Sequence, residues 1–192
     1  MSKHIIDILE SDILELDSIL LDILLSDKST EKNILWATDD YIEYGEEYAH
    51  DRQIMPELIT GERTKLIQPR ITKSKSSQNS RTRDKAEVFT PSWVCNEQNN
   101  LVDKAWFGRN VIFNSEYSAS WKATRWKIEF PKKLGKTWKD YVRAARLEIT
   151  CGEAPYLVSR YDTVTGKAIN LRQRIGLLDR KLRVVNENTG ND

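Results

Sequence analysis

The feature that most constrains the fold is a stretch that no core can absorb, Arg70 to Lys85. It carries six basic residues, one acid and a single strong hydrophobe, Ile71. Such a segment buries too little apolar surface to offset the entropy lost in ordering it. It reads as a mobile basic loop that orders on phosphate, or as a plain linker. In either case the fold must be built on its two sides. The charges divide at nearly the same place. Residues 1–60 hold 4 Lys and Arg against 15 Asp and Glu, and residues 61–192 hold 26 against 14. The overall +1 is therefore the sum of −11 and +12. An acidic arm beside a basic body suits a polyanion partner, and two solvated faces are the simpler account.

A chain of 192 residues can bury a real core and corresponds to one domain, or one domain with an arm. No apolar run approaches the roughly 20 residues that span a bilayer, so no membrane association is expected. The N-terminus lacks the basic start and apolar stretch of a signal peptide. Cys95 and Cys151 are far apart. That argues against a disulfide framework and fits a reducing cytoplasm. His4 and His50 are equally scattered, and no metal site is expected.

Leu9, Ile13, Leu16, Leu20 and Ile23 repeat at alternating spacings of four and three, with acids filling the gaps. The spacing predicts one acidic amphipathic helix over residues 4–25, within an arm covering 1–30. Its seam could pack on its own domain or on a partner. A small region, 31–69, should follow, with strands at 33–38 and at Leu66–Ile67. Thr90-Pro91 reads as a helix start. The helix should run to Phe107, turn Val94, Leu101, Val102 and Ala105 inward, and stop at Gly108. Further on, a strand is expected at 124–130, a helix at 137–145, a strand at 147–151 and a helix at 154–161. A turn at Thr165-Gly166 precedes a final helix over 171–188. That helix carries Arg172, Arg174, Arg180, Lys181 and Arg183, which could line a DNA groove or form a salt-laced surface. The six tryptophans are expected mainly in packing, with a base-stacking platform as the alternative.

Two short motifs suggest chemistry. In Glu148-Ile149-Thr150-Cys151-Gly152-Glu153-Ala154-Pro155-Tyr156-Leu157 a predicted strand ends at an acid, and a glycine turn leads into a predicted helix. Open α/β sheets bind ligands at such places. Glu148 could orient the turn or accept from an ammonium. Upstream, Arg81, Arg83 and Lys85 precede Val88-Phe89-Thr90-Pro91.

In this order the motifs resemble the S-adenosylmethionine pocket of gamma-type adenine-N6 DNA methyltransferases of restriction–modification systems. The chain looks closest to restriction-endonuclease methylation subunits, over about residues 33–188. That family carries an Asp/Glu-Pro-Ala-Cys-Gly-Ser/Thr-Gly-x-Phe-Leu pattern and, before it, a Phe/Tyr-Thr-Pro element. The acid, the Cys-Gly pair and the aromatic-Leu ending match. Ile149, Thr150, Glu153 and Ala154 depart from it, and the 57 residues from Pro91 to Glu148 imply an insertion.

The resemblance implies a partial Rossmann-like, S-adenosylmethionine-dependent methyltransferase unit over 86–192, an α/β fold, with the acidic helix in front. Phe89, Thr90, Pro91, Glu148, Cys151, Gly152, Glu153 and Tyr156 would approach the cofactor, with the helix start at Thr90-Pro91 offering N–H groups to its carboxylate. Arg81, Arg83 and Lys85 would contact the phosphates of double-stranded DNA. No catalytic residue is expected in this chain. The family's Asn/Asp-Pro-Pro-Tyr/Phe loop, which holds the flipped adenine, is missing, because none of the five prolines are adjacent. There is no Glu-x-Lys nuclease element either. The implied function is the N-terminal, cofactor- and DNA-contacting section of such an enzyme, completed by a second polypeptide or a full-length homologue. The alternative is a non-catalytic DNA- or protein-binding regulator or decoy derived from one.

Overall fold

A computed structural model describes residues 7–73, 88–131, 135–149 and 152–190. The chain forms two compact units, Met1–Pro69 and Arg70–Asp192. It is a mixed α/β protein with six α-helices and two separate two-stranded antiparallel sheets among the described residues.

In the first unit the expected single acidic helix is two: α1 (Glu10–Leu16) and α2 (Leu20–Leu25). The break lies at Asp17, which turns extended while its carboxylate accepts the Ile19 N–H at 2.8 Å. A short acidic side chain here offers the backbone an alternative to the helical bond. The break also disrupts the expected seam. Leu21 and Leu25 enter the core with Trp36, Tyr48, Ile54 and Ile59, while Leu16 and Ile23 face solvent. Residues 7–30 and 31–69 thus share one core. The strand expected at 33–38 shrinks to the hairpin of β1 (Ser26–Asp27) with β2 (Lys32–Asn33), plus a single bridge from Leu35 to Gln53. Asp27 closes that hairpin, accepting from the Ser29 N–H and from the Ser29 and Thr30 hydroxyls. α3 (Pro56–Ile59) follows, and Leu66 and Ile67 pack against the core without forming a strand.

The second unit is organised by α4 (Ser92–Phe107), which ends at Gly108 in the left-handed conformation. It stops at Gly108 as expected, but it starts one residue later than a Thr90 cap would place it: Pro91 is the N-cap and no side chain caps the helix. Its orientation also differs. Leu101 is 63% exposed, Val102 40%, and Ala105 also faces solvent. The buried face is Ser92, Cys95, Asn96, Asn99, Asp103 and Phe107. A polar helix face can be buried only if its groups find partners, and here they do. Asp103 accepts from Arg180 at 2.5 Å and from the Tyr141 hydroxyl at 2.8 Å. Asn96 accepts from Arg180 at 2.9 Å and exchanges hydrogen bonds with Asn114.

Around α4 stand the hairpin of β3 (Asn114–Tyr117) with β4 (Ser120–Ala123), then α5 (Trp138–Arg143) and α6 (Leu177–Thr189). Thr137 caps α5 in a reciprocal box with Asp140. Phe107, Ile112, Phe113, Ile128, Tyr141 and Val184 form the apolar core. The strand expected at 124–130 ends at Ala123, and the helix expected from 171 starts at Leu177. The helix expected at 154–161 is a turn, because its polar groups bond elsewhere. Tyr156 and Leu157 give their carbonyls to the Leu177 and Leu178 N–H groups at the start of α6. This contact needs Gly176, where a Cβ would lie 2.3 Å from the Leu157 oxygen.

The last helix is also not the basic surface element expected. Arg180 is 1% exposed, and Arg183 spends its guanidinium on Glu187 and on the carbonyls of Phe113, Thr124 and Trp126. Of the tryptophans, Trp36 is buried, Trp106, Trp121 and Trp138 are half-buried, and Trp93 and Trp126 are exposed. The parallel sheet of a Rossmann-like unit is not among the described elements. Leu147 and Ile149, expected in a strand, are 83% and 74% exposed and lie outside any sheet.

Candidate cofactor cleft

The two motifs meet. A cleft of about 590 Å³ in the second unit is lined by Phe89 and Thr90 from the first and by Glu148, Gly152, Tyr156 and Leu157 from the second. Val88, Val102, Leu147, Ile149 and Leu177 complete its apolar wall, and Gln98 and Asn99 add amide groups from α4. Binding clefts for small molecules run from about 300 to 1,000 Å³ with mainly apolar linings.

Direct contacts tie the halves together. The Tyr156 phenol lies beside the side chains of Thr90 and Cys95, close enough for each to perturb its titration, and the Cys95 thiol donates to the Thr90 carbonyl at 3.8 Å. Burial, and then the adjacent thiol, push the Tyr156 phenol above its ordinary value. Burial pushes the Cys95 thiol up to about 11. Gly152 has φ +48°, and a Cβ there would lie 3.5 Å from the Phe89 ring. The Arg70 guanidinium covers that ring at 4.9 Å. Asn99, buried in α4, donates to the Tyr156 and Ile175 carbonyls at 2.9 and 3.0 Å and clips the second motif to the approach to α6.

Glu148 plays the turn-orienting role open to it. Its carboxylate accepts the Tyr156 N–H at 3.4 Å and the Leu157 N–H at 3.1 Å while lining the cleft. Burial raises its pKa, and the two backbone donors offset that only in part. It can accept a further hydrogen bond from a cation or a hydroxyl in the cleft.

Two expected site residues lie elsewhere. Glu153 turns away and accepts from the Arg70 N–H at 2.7 Å and the Tyr161 hydroxyl at 2.8 Å. Pro91 is the N-cap of α4 and does not line the cleft. Cys151, Arg81, Arg83 and Lys85 fall outside the described residues.

The start of α4 differs from its expected role as a site for the cofactor's carboxylate. The Ser92 N–H donates to Asp162 at 2.7 Å, so the chain supplies its own anion there. Asp162 is anchored in turn by the Thr165 N–H and hydroxyl, at 2.7 and 2.8 Å, in the turn at Thr165-Gly166. Burial works to raise the Asp162 pKa, but the Ser92 and Thr165 donors outweigh it and hold the group below the usual carboxylate range. This cap was invisible in the sequence because 70 residues separate its partners. The cleft thus offers a ligand the Phe89 and Tyr156 rings, an apolar wall and the Glu148 carboxylate, and no free helix start for a carboxylate at Ser92.

Among the described residues no helix is long and apolar enough to cross a membrane, and no group of three or more His, Cys, Asp or Glu could hold a metal ion. The cleft thus belongs to a mixed α/β protein with a ligand-sized, aromatic-walled site. No protein-family profile, no curated protein and no solved structure matches the chain.

Proposed function

We propose that this chain is the N-terminal, cofactor- and DNA-contacting section of a DNA adenine-N6 methyltransferase of a restriction–modification system. A second polypeptide or a full-length homologue completes it for catalysis. The observation that carries this is the meeting of two motifs 57 residues apart around one cleft, which Phe89 and Thr90 of the first line together with Glu148, Gly152 and Tyr156 of the second. S-adenosylmethionine would lie with its adenosyl part against Phe89 and the apolar wall and its ammonium toward Glu148. It would supply the methyl group, while this chain's residues bind and orient it. In this reading residues 86–192 are part of a Rossmann-like unit, and exposed Leu147 and Ile149 mark where a neighbouring strand would add. Arg81, Arg83 and Lys85 would meet DNA phosphates.

Calorimetric titration with S-adenosylmethionine and its demethylated product tests the assignment. The wild type should bind both, and Gly152→Trp, whose indole would fill the space beside Phe89, should bind neither while melting as a folded protein. Binding that ignores this substitution would overturn the assignment.

A second reading, a non-catalytic regulator or decoy, is favoured by one observation. Leu16, Ile19, Ile23 and Leu24 of the acidic helices are exposed, as a docking face would be. That reading expects no cofactor binding by the wild type, so the same titration separates the two.

A further inference from the structure

The segment from Thr124 to Ile128 is an irregular loop, yet it is pinned at nearly every step. The Thr124 N–H donates to the Phe113 carbonyl at 2.8 Å, and its hydroxyl reaches the Ile112 and Phe113 carbonyls at 3.0 Å each. Arg183 donates to the Thr124 and Trp126 carbonyls, both at 3.0 Å. Glu187 holds Arg183 at 2.7 Å and accepts the Ile128 N–H at 2.8 Å with its other oxygen. Ile128 is buried in the core. Between these anchors the chain bends at Trp126, and Arg125, Trp126 and Lys127 all face solvent.

Trp126 is 55% exposed, whereas Trp106 packs against Phe107, Phe130 and Tyr141, and Trp121 donates its indole N–H to the Gln173 carbonyl. Packing therefore does not account for an indole here. The side chains on either side of the indole favour an anionic partner: Arg125 and Lys127 are both exposed cations. Glu129 beyond them is also exposed, while Glu187 beneath the loop is turned onto Arg183 and the Ile128 N–H. A rigid aromatic face between two positive charges suits a nucleotide strand, since every base has a π-face to stack and a phosphate on each side. Preorganisation of the bend reduces the ordering cost of binding.

We infer that Arg125, Trp126 and Lys127 form a contact for single-stranded nucleic acid, the indole stacking on an unpaired base and the two cations meeting the flanking phosphates. The inference rests on the nucleic-acid part of the function proposed above and not on the cofactor cleft.

Fluorescence anisotropy with a labelled oligothymidylate of about twenty nucleotides, and with the duplex it forms with oligoadenylate, is the test. Trp126→Ala should weaken single-strand binding about 5- to 100-fold, with Trp126→Phe recovering most of it and the duplex changing less than about twofold. Arg125→Ala/Lys127→Ala should weaken both and reduce the salt dependence by about one to two phosphate contacts. Arg183 grips the backbone of residue 126, so these variants keep the bend, and their thermal melts should match the wild type. Wild-type single-strand affinity in Trp126→Ala, or equal losses on strand and duplex, overturns the platform while leaving DNA binding intact. No binding of either probe by the wild type overturns both the platform and the nucleic-acid reading, and leaves a protein contact for the exposed indole.

Discussion

Replacing Arg180 by methionine should be among the most damaging single changes available to the second unit. Arg180 and Asp103 have side chains 1% exposed and lie 2.5 Å apart. The guanidinium also donates to Asn96 at 2.9 Å and lies 5.3 Å from the Phe113 ring centre. Removing one partner of a buried pair strands the other charge and costs about 3–5 kcal/mol, a large share of the roughly 5–15 kcal/mol by which domains are stable. Asp103→Leu should cost a similar amount by stranding Arg180. The double variant should lose only about 1–3 kcal/mol, because both charges go and the main group left without a partner is the Tyr141 hydroxyl. Asn96 keeps its donor from Asn114. Urea unfolding followed by near-ultraviolet circular dichroism reads the aromatic core that Tyr141 joins. Single-variant melts should fall by on the order of 10–20 °C. Losses below about 1 kcal/mol in the singles, or a double variant equal to their sum, would refute the view that this pair is coupled and structural.

Asp162 and Glu148 should respond to pH in opposite senses. Asp162 titrates below the usual carboxylate range, so its contribution is present above about pH 4 and is lost as pH falls through its folded value. Asp162→Asn should therefore lower the melting temperature at neutral pH, by about 1 kcal/mol for the weakened cap on α4, with the gap from the wild type closing on acidification. Glu148 titrates above its usual range because of burial, so it favours the folded state below about pH 4 and less so as pH rises through its folded value. Glu148→Gln should melt no lower than the wild type at pH 7, lose any advantage toward pH 4, and bind S-adenosylmethionine more weakly. A Glu148→Gln protein markedly less stable at pH 7 would contradict the burial account.

The sequence displayed the punctuation of the fold better than its interior. Thr90-Pro91 and Gly108 bracket α4, Thr137 starts α5, and the Thr165-Gly166 turn is where it was expected. Each of these is set by neighbours a few residues apart. The inward face of α4 was read the wrong way round because hydrophobic periodicity assumes an apolar core. Here the core partners of Asn96 and Asp103 include an arginine 84 and 77 residues away, respectively, which looks like a surface charge in the sequence. The turn in place of a helix at 154–161 has the same origin, since the donors that claim its carbonyls lie at the start of α6. Of the site, the union of two distant motifs was legible from residue pattern. The displacement of Glu153 to Arg70 and Tyr161, and the internal cap from Asp162, were not.

The polar face of α4 has a consequence for tracing distant kin of this chain. An apolar position such as Leu101 is exposed and can drift with little penalty, and core aliphatics can exchange with one another at modest cost. Asn96, Asn99, Asp103 and Arg180 cannot be exchanged singly, because each holds up another's buried hydrogen bonds or a backbone carbonyl. The durable fingerprint of this architecture is thus Asn-x-x-Asn-x-x-x-Asp on one helix and the buried Arg180 on the last. A profile weighted toward hydrophobic pattern would pass over both.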